Sequence, residues 1–128
     1  MKFNRHFTKK DNDAYAGLEF KTTSSEIKNP DGTVVFSAPN IEVPANYSQV
    51  AADIIAQKYF RKAGVPIYLK KVKEDNIPSW LWRSEPDTTK LNDVAKQEQF
   101  IGEESAKQVF DRLAGTWTYW GWKGKYFT

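Results

Sequence analysis

The sequence predicts a mixed α+β fold, in which a small N-terminal β-ribbon or hairpin region precedes two main amphipathic helices with a long connection. Turn chemistry next to β-branched residues marks the β-rich part, and two apolar patterns at helical spacing mark the helices. The 128 residues, 40% of them hydrophobic, suffice for the core of one domain. We expect a single domain over residues 1–128, divided into a mobile arm (1–14), a β-rich part (15–45) and a helical part with a long loop (46–128).

The β-rich part contains a predicted hairpin. Residues 29–32 read Asn-Pro-Asp-Gly, a strong turn signal because proline presets φ and glycine tolerates positive φ. Val34 and Val35 follow directly, so residues 24–28 and 33–37 are expected to pair. Residues 41–43 alternate in polarity and predict one more short strand, which the next proline ends.

Residues 48–63 are predicted to form the first helix. Ser48 is a suitable N-cap, because its hydroxyl can accept a free backbone N–H of the first turn. Arg61 and Lys62 fall in the expected last turn, where cations suit the helix dipole, and Gly64 is a typical end. Apolar side chains recur at helical spacing between these limits: Ala51, Ile54, Ile55 and Tyr59, with Val50 beside them.

Residues 103–120 are predicted to form the second helix. Glu103 and Glu104 suit the positive end of its dipole and are expected to be solvated acids. Gly121 and Gly124 are expected to end it. An apolar stripe at helical spacing is expected to pack: Ala106, Val109, Phe110, Leu113, Ala114, Trp117 and Trp120.

The connection between the helices is mostly polar. Residues 67–72 are predicted to contain another strand. Residues 77–82 read Ile-Pro-Ser-Trp-Leu-Trp, a pattern that fits either an extended segment or a docked loop. No internal repeat or low-complexity segment is visible in the sequence.

The composition excludes several kinds of chemistry. The chain has no cysteine, and therefore no disulfide, thiolate metal site or thiol nucleophile. Its single histidine, His6, lies in the predicted arm, so no histidine-based triad or histidine-rich metal site is available. No glycine-rich phosphate loop is present. We expect no catalytic, cofactor-binding or metal-binding residue in this chain.

From the charge and hydropathy of the chain, we expect a cytoplasmic protein. The net charge of +3 comes from 19 basic and 16 acidic side chains, a mixed surface that argues only weakly for nucleic acid. No apolar run approaches the ~20 residues that span a bilayer, so no membrane contact is expected. The first residues lack the apolar stretch of a signal peptide.

The sequence also resembles that of a known protein family. Five segments, in this order along nearly the whole chain, resemble the N-terminal domain of bacterial adenosylcobalamin (vitamin B12)-dependent class II ribonucleotide reductases. They are residues 25–36 (SEIKNPDGTVVF), 41–44 (IEVP), 48–66 (SQVAADIIAQKYFRKAGVP), 78–84 (PSWLWRS) and 109–124 (VFDRLAGTWTYWGWKG). Residues 85–102 match this pattern least.

The resemblance implies a function for a complete enzyme. That family reduces ribonucleotides to deoxyribonucleotides for DNA synthesis, and we expect a ribonucleoside-diphosphate reductase. Homolysis of the cobalt–carbon bond of adenosylcobalamin generates a radical that passes to a cysteine in a ten-stranded α/β barrel. The family's catalytic groups lie downstream of the matched region, so this chain alone is expected to bind no cofactor and to be inactive.

The resemblance also implies a partner. We expect this chain, as a split-gene product or a truncation, to be an accessory domain that packs on the catalytic barrel polypeptide, which would meet the nucleotide substrates. No DNA contact is expected. The proposed packing residues are Tyr59, Phe60, Phe110, Leu113, Trp117, Trp120 and Trp122.

Two alternatives remain open from the residues alone. Basic side chains between Lys58 and Lys73 bracket Tyr59, Phe60 and Tyr68, a combination that could hold single-stranded nucleic acid. A free-standing adaptor with an exposed apolar patch is the other alternative.

Overall fold

The computed structural model describes residues 1–127 and shows the predicted α+β architecture, which begins with a long hairpin. Strand β1 (Phe20–Lys28) pairs antiparallel with β2 (Val34–Pro44). The predicted turn joins them, with Gly32 at φ +87°, in the region that favours glycine. Both strands are longer than predicted, because residues 41–43 continue β2 and pair with the start of β1 instead of forming a separate strand.

The first helix starts where it was predicted and ends earlier. Helix α1 (Gln49–Ile54) begins with the Ser48 side chain accepting from the Ala51 amide, and a π-helical turn (Ile55–Tyr59) follows directly. The prediction that it continues to residue 63 was wrong, because Phe60 is extended, at φ −62° and ψ 131°. Arg61 and Lys62 therefore lie beyond the helix, and Gly64, at φ +80°, does not cap it.

The last helix, α3 (Ala106–Lys123), is displaced by three residues at each end from the prediction. Ser105 is its N-cap and forms a reciprocal capping box with Gln108, which fixes the start after the two glutamates. Gly121 lies inside the helix, and Gly124 is the C-cap. The predicted end at residue 120 was therefore wrong.

Short elements fill the connection. Strand β3 (Val65–Pro66) pairs with β6 (Phe100–Ile101), and β4 (Leu69–Lys71) pairs with β5 (Ser84–Pro86). The remaining elements are a short helix α2 (Thr88–Leu91) and 3₁₀ turns at Ser79–Leu81 and Lys96–Glu98.

Residues 77–82 form a docked loop. Leu81 is buried, and the Trp82 indole N–H lies within hydrogen-bond distance of the carbonyls of Glu74 (3.1 Å) and Ile77 (2.9 Å). These hydrogen bonds close the loop on itself, and the buried Leu81 docks it on the domain, so the second of the two structures allowed by the sequence pattern is the one observed.

The core lies between β2, the first helix and α3. Its buried residues are Ile41, Val43, Ala52, Ile55, Ala56, Phe60, Ala106 and Val109. The first helix buries Ile55, as predicted, but Ala52 and Ala56 point inward with it, whereas Ile54 and Tyr59 are about half exposed. Alanines on the inner face let the helix approach the strand closely, so the bulkier side chains are left outside. Within residues 1–127, no helix is long and apolar enough to cross a membrane.

Candidate functional site

An apolar groove separates the first helix from α3. It has a volume of about 350 Å³. The residues that line this apolar groove are Tyr47, Ala51, Ile54, Ile55, Tyr59, Val109, Phe110 and Leu113. Ile54 and Tyr59 on the first wall are 51% and 55% exposed, so the groove presents hydrophobic side chains to its surroundings. Contiguous apolar surface of this kind is typical of an interaction site.

Two tryptophans extend this apolar surface along α3. Trp117 and Trp120, called here the aromatic ridge, are each 63% exposed and lie on the same helical face as Phe110 and Leu113. The expectation that the whole stripe packs is therefore not met within this domain, where these two side chains have little cover. Residues 113–122 contain no charged side chain, although a helix face in water normally carries charge. The surface thus has the character of a contact face.

Trp122 lies at the far end of α3 and contacts the segment that connects the two main helices. Its indole N–H donates to the Asn76 carbonyl at 2.9 Å, and its ring meets that of Trp80 edge to face at 6.5 Å. The Tyr119 hydroxyl donates to the Glu74 carboxylate at 2.5 Å, which lowers the pKa of Glu74. These contacts hold the docked loop against α3.

Phe60 differs from the other predicted packing residues. It is 6% exposed and belongs to the core of this domain, between the first helix and α3. Its side chain therefore has almost no surface left for a partner.

A buried carboxylate holds the two walls of the apolar groove together. The Glu103 side chain is 1% exposed and accepts hydrogen bonds from the Arg61 amide (2.7 Å) and from Arg112 Nε (3.1 and 3.2 Å). Arg61 Nε lies 3.5 Å from the same carboxylate. The expectation that Glu103 is a solvated acid was therefore wrong. Glu103 lies before the N-cap Ser105, outside the first turn of α3, and its carboxylate faces Arg61 and Arg112.

The pKa of Glu103 reflects two opposing effects. Burial by itself raises the pKa of a carboxyl group, whereas hydrogen bonds from Arg112 and the Arg61 amide, together with both guanidinium charges, lower it. The second effect prevails, and the pKa lies below its ordinary value. Glu103 is therefore ionised at neutral pH and serves as the acceptor at the centre of this contact.

Arg112 connects that carboxylate to the wall formed by the first helix. Its terminal nitrogen donates to the Tyr59 carbonyl at 2.5 Å, at the end of the π-helical turn. Arg112 lies off the apolar stripe of α3 and contacts the segment at the end of the first helix. Glu103 itself was missed, since an acid before a helix is usually solvated.

The basic residues of the alternative nucleic-acid site are dispersed among contacts within the chain. Lys70 pairs with Glu85 at 3.4 Å, and Lys71 Nζ donates to the Trp82 carbonyl at 3.1 Å. Lys62 donates to the Ala56 carbonyl, and its pKa is lowered by burial and by the nearby charge of Lys58. Lys62, Lys70 and Lys71 are thus engaged in contacts within the chain.

Potential metal ligands are not clustered in the part of the chain that the structure describes. Among residues 1–127, no group of three or more His, Cys, Asp or Glu side chains is placed to hold a metal ion. His6, the single histidine, meets the neighbouring Phe7 ring edge to face at 4.6 Å.

The chain is similar to known proteins along its whole length. A sequence profile of the class II vitamin B12-dependent ribonucleotide reductases matches residues 21–128. Two curated relatives, both named vitamin B12-dependent ribonucleotide reductase, come from Bradyrhizobium diazoefficiens and Agrobacterium fabrum. Each is 59% identical over all 128 residues of this chain, which spans only 10% of the relative's length.

These similarities decide between the alternatives left open by the residues. They support the reductase resemblance and give no support to an independent nucleic-acid-binding module. The matched relatives are enzymes, and this chain corresponds to an N-terminal piece of them. The chain therefore belongs to the class II vitamin B12-dependent ribonucleotide reductase family, as an N-terminal domain.

Proposed function

We propose that this chain is the N-terminal accessory domain of an adenosylcobalamin-dependent ribonucleoside-diphosphate reductase, which forms deoxyribonucleotides for DNA synthesis in the cytoplasm. The observation that carries the proposal is 59% identity over the full chain to two vitamin B12-dependent ribonucleotide reductases. Because the chain spans 10% of their length, the remaining polypeptide is the proposed catalytic part.

The role of this domain is structural. Radical chemistry in the family that the sequence resembles uses cysteine thiols, and this chain contains none. The nucleotide substrates are therefore proposed to bind to the complete enzyme, with the reacting groups supplied by the downstream barrel. The present residues contribute a folded, mostly apolar contact face.

We propose that the corrin cofactor does not bind to this domain. A cleft of about 770 Å³ is open, and its lining includes Glu74, Asp75, Lys123 and Lys125. No buried side-chain nitrogen or oxygen of residues 1–127 lacks a hydrogen-bond partner, so none is left directed toward a ligand. We assign cobalamin to the remaining polypeptide.

The apolar groove and the aromatic ridge together support the proposal that this domain docks on the barrel. Tyr59, Phe110 and Leu113 line the apolar groove, and the aromatic ridge continues it along α3. Trp122 is 38% exposed at the end of the same helix. Covering this surface would remove hydrophobic area from water, which stabilises an interface. Phe60 acts indirectly, as part of the core that supports the groove.

Complementation tests the proposal. The remaining reductase polypeptide is expressed with and without residues 1–128, and reduction of ribonucleoside diphosphates is measured with added adenosylcobalamin and a dithiol. We expect activity with both polypeptides and at least a tenfold loss without this domain. A Lys96→Glu variant, altered at an exposed residue distant in sequence from the groove, should complement fully. Equal activity with and without the domain would refute the structural role.

A further inference from the structure

We propose that the segment directly following residue 128 in the complete reductase turns back along α3 and covers Trp117. This inference rests on the proposed function, because it requires that the chain continues into the remaining reductase polypeptide. It identifies which part of that polypeptide lies on this side of the aromatic ridge.

The chain reverses its direction at the end of α3. Lys125 adopts a left-handed conformation, at φ +60°. Its amide donates to the Trp122 carbonyl at 3.0 Å, and the Tyr126 amide donates to the Gly121 carbonyl at 3.0 Å. This pair of hydrogen bonds forms a Schellman motif, which ends a helix and satisfies its last carbonyls. The backbone therefore leaves the helix axis after Gly124 instead of continuing along it.

The side chains of Tyr126 and Phe127 show the direction of this turn. The Tyr126 ring lies against Gly124, where an added Cβ would meet it at 2.7 Å. The Phe127 ring lies against Gly121, where an added Cβ would meet it at 2.5 Å. Gly121 precedes Gly124 by about one helical turn. From Tyr126 to Phe127 the chain thus moves back along α3, toward the beginning of that helix.

Several contacts hold Phe127 in this position. Because Gly121 has no side chain, the Phe127 ring can lie directly on the helix surface. Phe3 meets the same ring edge to face, with 5.9 Å between the ring centroids. The Met1 amine donates to the carbonyl of the preceding Tyr126 at 2.7 Å. The point from which the chain continues is therefore fixed on this face of α3.

The residues of α3 that come next in this direction are uncharged. Trp117 and Thr118 lie four and three residues before Gly121, so both are its neighbours on the helix surface. Trp117 is 63% exposed, and residues 113–122 carry no charge. One turn of α3 is about 5.4 Å long, which an extended chain covers in about two residues. A segment that continues past Phe127 would thus reach the Trp117 indole at once and remove its apolar surface from water.

Proximity favours this segment over other parts of the remaining polypeptide. The curated relatives are about ten times as long as this chain, since the chain spans 10% of each. Contact between Trp117 and the residues directly after residue 128 closes only a short loop, whereas contact with a distant segment closes a long one. Because the entropic cost of closing a loop increases with its length, the adjacent segment is the favoured occupant.

Site-specific photo-crosslinking in the complete reductase tests the inference. Trp117 is replaced by p-benzoylphenylalanine, and the crosslinked residues are identified by mass spectrometry. We expect the crosslinks to fall within about ten residues after residue 128, since an extended chain advances ~3.3 Å per residue along α3. The same probe at Thr116, which is exposed and points away from Gly121, should not label that segment.

Two glycine substitutions test whether the turn at Gly121 directs the segment. Leucine in Gly121→Leu must displace the Phe127 ring, whereas an added Cβ at Gly115 meets no atom within 4 Å. We expect Gly121→Leu to lower the crosslinking yield from position 117 about tenfold, because overpacking disfavours the native arrangement. Gly115→Leu should leave the yield unchanged. Equal yields from the two variants would contradict the inference.

The remaining outcomes separate this inference from the proposed function. Reductase activity is measured in the same samples before illumination, and again after deletion of residues 1–128. In an active enzyme, crosslinks from position 117 only to segments further downstream, only to a second copy of this domain, or to no residue would overturn the inference and leave the proposed function intact. Full activity after the deletion would overturn the proposed structural role, even with crosslinks to the adjacent segment.

Discussion

Arg112 Nε lies 3.1 and 3.2 Å from the two carboxylate oxygens of Glu103, although the start of α3 falls between them. The same guanidinium donates to the Tyr59 carbonyl, where the π-helical turn ends. One side chain thus joins three separate pieces of backbone. The distance between the walls of the apolar groove depends on this contact, so the groove is expected to respond to changes in it.

Replacing Glu103 tests this contact. In Glu103→Gln the two guanidinium groups lose a buried counter-charge, which is strongly destabilising when both partners are buried. Because the Arg61 side chain is 56% exposed and that of Arg112 is 30% exposed, water offsets part of the loss, and we expect about 2 kcal/mol. Urea unfolding measures this value. The exposed neighbour serves as control, since Glu104→Gln should change stability by less than about 0.5 kcal/mol.

The same carboxylate predicts a dependence of stability on pH. The folded-state pKa of Glu103 is below the ordinary value of 4.5, so its contribution is fully present above that pH and is lost as pH falls through the folded-state pKa. We expect the urea midpoint of the wild type to decrease more steeply below pH 4.5 than that of Glu103→Gln. Parallel midpoint curves for the two proteins from pH 7 to pH 3 would contradict this assignment.

Gly102 allows the backbone before α3 to pass close to the end of the first helix. A Cβ at this position would lie 2.8 Å from the Lys62 carbonyl oxygen and 3.1 Å from that of Arg61. Because these atoms belong to the backbone, we expect Gly102→Ala to cost about 1–3 kcal/mol of unfolding free energy. Gly115→Ala is the matched control: it has open space inside α3 and should stabilise the domain by up to about 1 kcal/mol. Equal effects of the two substitutions would show that close approach at Gly102 has no energetic consequence.

The capping box determines where α3 begins. The Ser105 hydroxyl caps the first turn and also donates to the Glu42 carboxylate at 2.6 Å, which ties the helix start to β2. Ser105→Ala is expected to lower the unfolding free energy by about 1–2 kcal/mol. Thr116→Ala, at an exposed position within the same helix, should be neutral or slightly stabilising in the same thermal or urea measurement. A neutral Ser105→Ala would show that other contacts fix the helix start.

Local signals in the sequence predicted the hairpin and the existence of both main helices. The Asn-Pro-Asp-Gly turn, the Ser48 cap and the apolar spacing of α3 all act over a few residues, so they can be recognised without knowledge of the fold. The family resemblance added the functional assignment, which these signals do not contain.

Long-range contacts explain what the sequence could not predict. The first helix ends at Tyr59 because the backbone of Arg61 bonds to Glu103, 42 residues later. No local pattern in the sequence predicts this pairing. The buried state of Glu103 has the same cause. The exposure of Trp117 and Trp120 could not be predicted either, since helical spacing identifies a packing face without identifying the partner.

The central claim is that the aromatic ridge joins this domain to the rest of the reductase. The most direct measurement is calorimetric titration of the remaining polypeptide with wild-type residues 1–128 and with Trp117→Lys/Trp120→Lys. Since both side chains are 63% exposed, the variant should keep nearly the unfolding midpoint of the wild type. We predict binding by the wild type and at least a tenfold weaker Kd for the folded variant. Equal affinity of the two proteins would contradict the claim.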